Sequence, residues 1–386
     1  MTDELRRVLH FHTGTWKTGS TALQVFLDRN RASLADAGVS YEFQPQADHN
    51  AGNGSHLRDS LLGRHLSPTA LGGILEEYLA GRSTAICSSE GFTQFGSAEW
   101  QQLIDACGRL NIEIRTITYV RDIAPYYLSL HAQLFKSGEH HASIEEYSAV
   151  DCYRPVVNSL KCMRDMVGPD AMTVLHYEST IDSLDAPFMR ALGLQDAQFD
   201  RSVLSRQLNR SLTQYEMDIL RNLIEKTGIQ LASTLAALLL ERRPALKAER
   251  VPGIALREKL AARHAVDIAW MNGEFFGGVD VVKIDREAPE ADGQDGLSAS
   301  DRQAIDRDVA SWCMSQLEKA QDQGAAFIAN TMTHIDWKNI GHPALPVDFD
   351  PIAYLLLNLD VLKSGARPCE HYLAHGRYNN ARKWKW

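Results

Sequence analysis

Short apolar runs alternate with longer amphipathic segments through the first half of the chain. Residues 7–12, 84–89, 112–120 and 172–177 are compact and apolar, the pattern of strands buried on both faces. Between them lie segments with helical spacing. Residues 19–36 carry Ala22, Leu23, Phe26, Leu27 and Leu34 along one side, and Gly38 supplies a stop. Residues 123–136 read as another helix. Strands separated by helices predict an α/β fold, a mostly parallel sheet with helices on both faces. From about residue 200 the pattern is helical. Thr213-Gln214-Tyr215-Glu216 is a capping box, and helices are expected over 229–243, 254–276 and 300–323. Residues 286–300 are acidic and Gly-rich, as in a linker. The expected organisation is an α/β domain over 1–285 with a helical second half, a linker over 286–300, and a small helical C-terminal module over 301–386.

That last module has its own pattern. Phe349-Asp350-Pro351, Tyr354-Leu355, Asn358-Leu359-Asp360-Val361 and His371-Tyr372-Leu373-Ala374-His375-Gly376 recur as aromatic and apolar positions. Tyr354, Leu355, Val361, Tyr372 and Leu373 are expected to form a small core, with Gly376 as a helix C-cap. The tail Arg382-Lys383-Trp384-Lys385-Trp386 mixes cations with indoles. Such a tail suits stacking on sugars or contact with an anionic surface, such as a membrane or a polysaccharide-assembly complex. A plain frayed terminus fits the same residues.

Composition narrows the class. The chain has 386 residues, 44% hydrophobic and 23% charged, as ordinary globular proteins have. No apolar run approaches the ~20 residues that span a bilayer. The acidic start Met1-Thr2-Asp3-Glu4-Leu5 lacks a signal-peptide core, so a cytoplasmic location is expected. The six cysteines are scattered without a C-x-x-C pair, which favours free thiols over disulfides or zinc. A net charge of −9 does not advertise nucleic-acid binding.

The chemistry concentrates after the first apolar run, in Thr13-Gly14-Thr15-Trp16-Lys17-Thr18-Gly19-Ser20-Thr21. A Gly-bounded loop that opens a helix aims backbone donors at an anion. A nucleotide triphosphatase loop reads G-x-x-x-x-G-K-[ST]. Here Gly14 and Gly19 keep that spacing, but Ser20 stands at the lysine position and Lys17 precedes the second glycine. The loop is P-loop-like without being a Walker loop. Glu90, Arg121 and Glu178 also fall at strand C-termini, where ligands of parallel sheets bind. There is no H-E-x-x-H pattern, no paired cysteine and no Walker-type Mg²⁺ ligand beside the loop, so no metal requirement is expected.

This arrangement resembles the 5′-phosphosulfate loop of sulfotransferases that use 3′-phosphoadenosine 5′-phosphosulfate (PAPS), in particular bacterial, carbohydrate-sulfotransferase-like members. Their loop reads K-x-G-[ST]-[ST], matched by Lys17-Thr18-Gly19-Ser20-Thr21. A strand ending in Arg121-Asp122, with Ser129 in the next helix, is similar to their grip on the 3′-phosphate. The segment Ser88-Ser89-Glu90 resembles a similar one in bacterial relatives, and Asn209-Arg210-Ser211-Leu212 resembles a segment that closes over the nucleotide. The last module resembles one found beside bacterial polysaccharide glycosyltransferases.

The resemblance implies PAPS as co-substrate, held by Thr15, Trp16, Lys17, Thr18, Gly19, Ser20, Thr21, Arg121, Ser129, Asn209 and Arg210. It implies transfer of the sulfuryl group to a carbohydrate or glycolipid hydroxyl. Lys17 would stabilise the leaving phosphate. Glu90 is the first candidate for the base; the alternative is an N-cap for the turn after it. His56, behind a polar loop, is the second candidate. His12 would pack or bond the loop backbone, and Arg121 could instead pair with Asp122. Two other classes compete: a catalytically inactive glycan- or nucleotide-binding protein, and a kinase-like phosphotransferase.

Overall fold

The first apolar run forms β1, Arg7–His12, which becomes the middle strand of a five-stranded sheet. In this computed structural model the described residues are 7–43, 52–63, 66–137, 142–194, 198–202, 204, 210–227, 229–246, 252–285, 297–334, 341–364 and 366–379. The expected linker therefore lies mostly outside them, and the basic aromatic tail entirely so. By its contacts the chain divides into two units, residues 1–302 and 303–386.

The helix expected over 19–36 is two helices, α1 (Ser20–Arg29) and α2 (Arg31–Asp36). Asn30 makes the break. Its Nδ2 donates to the carbonyls of Phe26 (2.9 Å) and Asp200 (3.0 Å), and Asp200 N donates to its Oδ1 at 2.7 Å. A side-chain amide thus competes with the helix ladder. Gly38, at φ 82°, turns the chain into β2 (Val39–Ser40), too short to carry a sequence pattern. Then come α3 (Ser55–Leu62), α4 (Pro68–Leu79) and β3 (Thr84–Ser88). Next are α5 (Ser97–Arg109), β4 (Ile112–Val120) and α6 (Ile123–Ser137). The short α7 (Ile144–Tyr147), α8 (Arg154–Val167), β5 (Met172–His176) and α9 (Asp185–Ala191) follow.

The strand order is β2-β3-β1-β4-β5, and every pairing is parallel. Alternation along the strands splits the core. Leu9, Phe11, Cys87 and Val120 face one side with Leu75, Trp100, Tyr127 and Leu160. Ile86, Ile117 and Tyr119 face the other with Phe26, Leu27 and Phe188. The Phe11 ring meets Phe92 and Trp100 edge-on at 5.4 and 5.9 Å, and burying one such ring is worth about 1.5–3 kcal/mol. The chain leaves β1 toward one edge of the sheet and β4 toward the other. Adjacent strands whose connections diverge open a crevice at their carboxyl ends.

The capping box at Thr213 forms as expected, with Thr213 N donating to Glu216 Oε2 (2.8 Å) and Glu216 N to Thr213 Oγ1 (3.2 Å). It opens α10 (Gln214–Thr227), followed by α11 (Ile229–Arg242) and α12 (Ile254–Phe275). After α12, Gly277 and Gly278 take positive φ and reverse the chain. Asn272 grips Val282 through both main-chain groups, and Lys283 N donates to Asp122 Oδ1 at 2.8 Å. This strap returns the chain to the end of β4. The next helix, α13, is longer than expected and runs Ala299–His334. No helix among the described residues is long and apolar enough to cross a membrane.

The second unit ends in α14 (Pro351–Leu357), α15 (Leu359–Ser364) and α16 (Pro368–Ala374). Asp350 caps α14 by accepting from the amides of Ile352 and Ala353. Tyr354, Leu355, Val361 and Tyr372 form the small core, while Leu373 is only half-buried. Gly376 is not the C-cap; His375 is. Gly376 is required for another reason, since a Cβ there would lie 2.5 Å from the Tyr354 hydroxyl.

Candidate functional site

The loop after β1 is braced from within. Thr13 N donates to Ile117 O at 3.1 Å, and the Thr13 and Thr118 hydroxyls are in contact. Thr15 Oγ1 donates to Tyr119 O (2.9 Å) and Thr18 Oγ1 to Thr15 O (2.6 Å). The hydroxyls of Thr15 and Thr18, expected to face an anion, therefore hold the loop to β4 and to itself. The two glycines serve different needs. A Cβ at Gly14 would lie 2.4 Å from Ser20 Oγ, and Gly19 sits at φ 78°. Lys17 also takes a left-handed conformation, φ 66°. For a residue with a Cβ this costs about 1–2 kcal/mol, so the surroundings must impose it. Trp16 is 44% exposed beside it, and Thr21 is exposed on the first turn of α1.

Glu90 begins a 3₁₀ turn, Glu90–Gln94, directly after β3. It is not the cap. Ser89 is, accepting from Gly91 N at 3.3 Å, and Ser89 N donates to His12 O at 3.1 Å. Glu90 lies within electrostatic reach of Lys17. Burial pushes the Glu90 carboxyl up from its ordinary value, opposed by the Ser20 hydroxyl and the Lys17 charge. Burial likewise pushes the Lys17 ammonium down, opposed by Glu90 and reinforced by Arg121 and Lys136. The Ser20 hydroxyl is buried and faces Glu90, without the geometry of a full hydrogen bond to any described residue.

Arg121, at the end of β4, does not pair with Asp122. Its Nε donates to Glu178 Oε1 at 2.8 Å and its Nη1 to the Lys17 carbonyl at 2.9 Å. Glu178 Oε2 accepts Asp122 N at 2.9 Å. The guanidinium lies 4.9 Å over the Tyr177 ring, and the Tyr153 hydroxyl donates to the Arg121 carbonyl. Ser129 is half-buried in α6, on the helix face that carries Pro125 and, two turns on, exposed Lys136.

Other expectations fare differently. His56 is the second residue of α3, whose N-terminal turn is tied to β3 by Gly54 N donating to Ser88 O at 2.9 Å. That places His56 near the same rim. Arg210 departs from its expected role. Its Nη1 and Nη2 donate to Glu216 at 2.8 and 2.7 Å, and further to the carbonyls of Ser211 and Leu239. Both side chains are buried, at 1% and 0% exposure. With those donors committed, Arg210 serves the fold. Asn209 lies outside the described residues.

Sequence reasoning assigned little to His12. Gln24 Nε2 donates to Ser88 Oγ (3.1 Å), and His12 Nδ1 shares a 2.8 Å bond with that hydroxyl. His12 Nε2 is buried and unpartnered among the described residues, within 3.1 Å of where a Gly14 Cβ would be. Burial lowers its pKa to about 4, so the ring is neutral. Asp122, His176 and Glu178 bring ligand atoms within 4.8 Å of one another. Their carboxylate oxygens already accept the amides of Asp122 and Lys283 and the Arg121 Nε, and His176 Nδ1 meets Ser179 Oγ at 2.6 Å. The trio reads as a latch joining β4, β5 and the strap.

No family model matches the chain, and no curated protein matches it. Among solved structures it is similar to a sulfotransferase from Alicyclobacillus acidocaldarius, at TM-score 0.40 and 15% identity, over 68% of this chain and 94% of that one. It is also similar to the sulfotransferase domain from the curacin biosynthetic pathway, at TM-score 0.29 and 10% identity, over 67% and 97%. A third is the sulfotransferase domain from the Synechococcus PCC 7002 olefin synthase, at TM-score 0.27 and 13% identity, over 64% and 95%.

Proposed function

We propose that the chain is a sulfotransferase that moves the sulfuryl group of PAPS to a hydroxyl of a carbohydrate or glycolipid, leaving adenosine 3′,5′-bisphosphate. The observation that carries this reading is the Lys17–Glu90 pair. A cation on the loop after β1 and a carboxylate on the turn after β3 sit half-buried within electrostatic reach, each pushed toward its neutral form by burial. An anion needs the cation; an attacking hydroxyl needs the carboxylate. The residues around the loop suit the nucleotide: Gly14 lets Ser20 Oγ and His12 Nε2 close on the loop backbone where a Cβ would collide, and those two buried polar atoms lack full partners.

In the proposed step Glu90 accepts the acceptor hydroxyl's proton as its oxygen bonds to sulfur. The bond from sulfur to the bridging oxygen breaks, and its electron pair stays on the phosphate. Lys17 stabilises the charge that develops there, the kind of preorganised stabilisation worth about 10²–10³ in rate. A base whose pKa burial raises is better matched to abstracting a proton near neutral pH. The carbohydrate acceptor rests on the pattern of the C-terminal module.

Thermal unfolding with adenosine 3′,5′-bisphosphate against ATP with Mg²⁺ tests the donor. Ligand at 100 times its dissociation constant should stabilise by about 2.7 kcal/mol. Stabilisation by ATP·Mg²⁺ alone would replace this reading with a phosphotransferase.

A further inference from the structure

Lys17 stands in a backbone conformation that its own Cβ disfavours, at φ 66°. Something must hold it there. The groups that touch its main chain point to one agent. Arg121 Nη1 donates to the Lys17 carbonyl at 2.9 Å. Arg121 is in turn fixed from two directions. Its Nε donates to Glu178 Oε1 at 2.8 Å, and its guanidinium covers the Tyr177 ring at 4.9 Å. Glu178 is itself oriented, since Oε2 accepts Asp122 N at 2.9 Å and lies 3.4 Å from His176 Nε2. The side chains of Arg121 and Glu178 are only 17% and 25% exposed.

We propose that Arg121, aimed by Glu178, is the strut that fixes the Lys17 backbone, and that Glu178 is a positioning residue for the anion site. Three elements meet in this chain: the end of β5 supplies Glu178, the end of β4 supplies Arg121, and the loop after β1 supplies the carbonyl. A guanidinium bonded to both ends can transmit the position of β5 to the lysine. Two of its nitrogens are committed to protein. Its Nη2 has no partner among the described residues and remains for a ligand. Arg121 thereby serves both the loop and any 3′-phosphate. The nucleotide part of this inference rests on the sulfotransferase reading; the strut does not.

The variants are Glu178→Gln, which keeps the shape and loses one charge-assisted acceptor, and Arg121→Lys, which keeps the charge and cannot bond both ends. Peptide-level hydrogen exchange on the ligand-free protein reads the strut alone. Both variants should speed exchange over residues 13–20 while β1 and the centre of β4 keep their protection. Unchanged exchange over 13–20 in both variants overturns the strut. Calorimetry with AMP then reads its consequence, because AMP carries a 5′-phosphate and no 3′-phosphate. Glu178→Gln should weaken AMP about ten-fold, and the loss should vanish when Lys17 is already alanine. An equal loss in both backgrounds means a general structural effect, and no loss in either confines Arg121 to the 3′-phosphate; both overturn the positioning role. A wild-type protein that binds neither AMP nor adenosine 3′,5′-bisphosphate sinks the nucleotide reading instead, while the exchange result still decides the strut.

Discussion

Two cation–glutamate pairs in this molecule, one fully buried and one half-buried, have opposite finishes. Arg210 and Glu216 form a closed pair: the guanidinium meets the carboxylate fork to fork at 2.8 and 2.7 Å, and backbone groups bond both Nη atoms and the carboxylate, leaving Arg210 Nε without a partner among the described residues. Lys17 and Glu90 form an open pair. They feel one another's charge, yet the Ser20 hydroxyl that faces Glu90 and His12 Nε2, both beside Gly14, lack full partners. A buried charge left incompletely bonded costs folding energy. A protein keeps such a site where something else completes it. The difference separates a pair that serves the fold from a pair that awaits a ligand, although both were equally visible as charged residues beside helix starts.

The largest effects should come from the open pair. Glu90→Gln keeps the shape and loses proton acceptance. Turnover should fall by about 10²–10⁴ with adenosine 3′,5′-bisphosphate affinity nearly unchanged. Lys17→Ala should lower turnover with every acceptor by about 10²–10³, again with only a modest loss of nucleotide affinity. Steady-state rates paired with calorimetry check both. His56→Ala is the control. If it is inactive while Glu90→Gln turns over normally, the base is His56 and Glu90 loses its role. Full activity in Lys17→Ala would undo sulfuryl transfer itself.

The closed pair should respond in stability. Arg210→Ala strands the Glu216 carboxylate in the interior, a loss of about 3–5 kcal/mol. Chemical denaturation measures it. Arg210→Met together with Glu216→Leu should recover most of that loss, because a buried pair can be replaced by apolar volume at little net cost. Nucleotide affinity of the double variant should match wild type. A selective loss of adenosine 3′,5′-bisphosphate binding there would return Arg210 to the nucleotide site.

The strand ends were legible in the sequence because each strand is a short apolar run and the ligand edge of a parallel sheet follows from direction alone. Lys17, Glu90, Arg121 and Glu178 were placed together on that basis, and the structure keeps them at one rim. What could not be read was which partner each side chain takes, near or far in sequence. Arg210-Ser211-Leu212 looks like a nucleotide-closing segment until Glu216, already recognisable in its capping box, proves to be the ion-pair partner as well. Asn30 breaks a helix through a contact with Asp200, far along the chain. The Arg121–Asp122 pairing suggested by adjacency gives way to Glu178, which β5 brings alongside. The hydroxyls of Thr15 and Thr18 were counted as ligand donors from the resemblance of the loop, and only its fold shows them facing carbonyls.

The smallest expected effect follows from the open pair's cost, and it carries a sign. Burial raises the Glu90 pKa in the folded protein above its unfolded value. Between those two values the folded state binds the proton more tightly than the unfolded state. The stability that protonated Glu90 contributes is therefore fully present below the ordinary carboxylate pKa. It is lost as pH rises through the raised folded value. Glu90→Gln removes this titration, since its amide stays neutral at every pH. At pH 4 the variant and wild type should unfold at similar temperatures. At pH 7 the variant should be the more stable, by an amount small beside the loss from Arg210→Ala. The stabilised variant would then also be the catalytically crippled one, as expected where a site trades stability for reactivity. Unfolding curves of both proteins from pH 4 to 7, without ligand, settle the matter. A wild-type protein whose stability over that range does not fall relative to Glu90→Gln would mean the carboxylate is comfortably solvated or fully paired, and the contrast with Arg210–Glu216 would collapse.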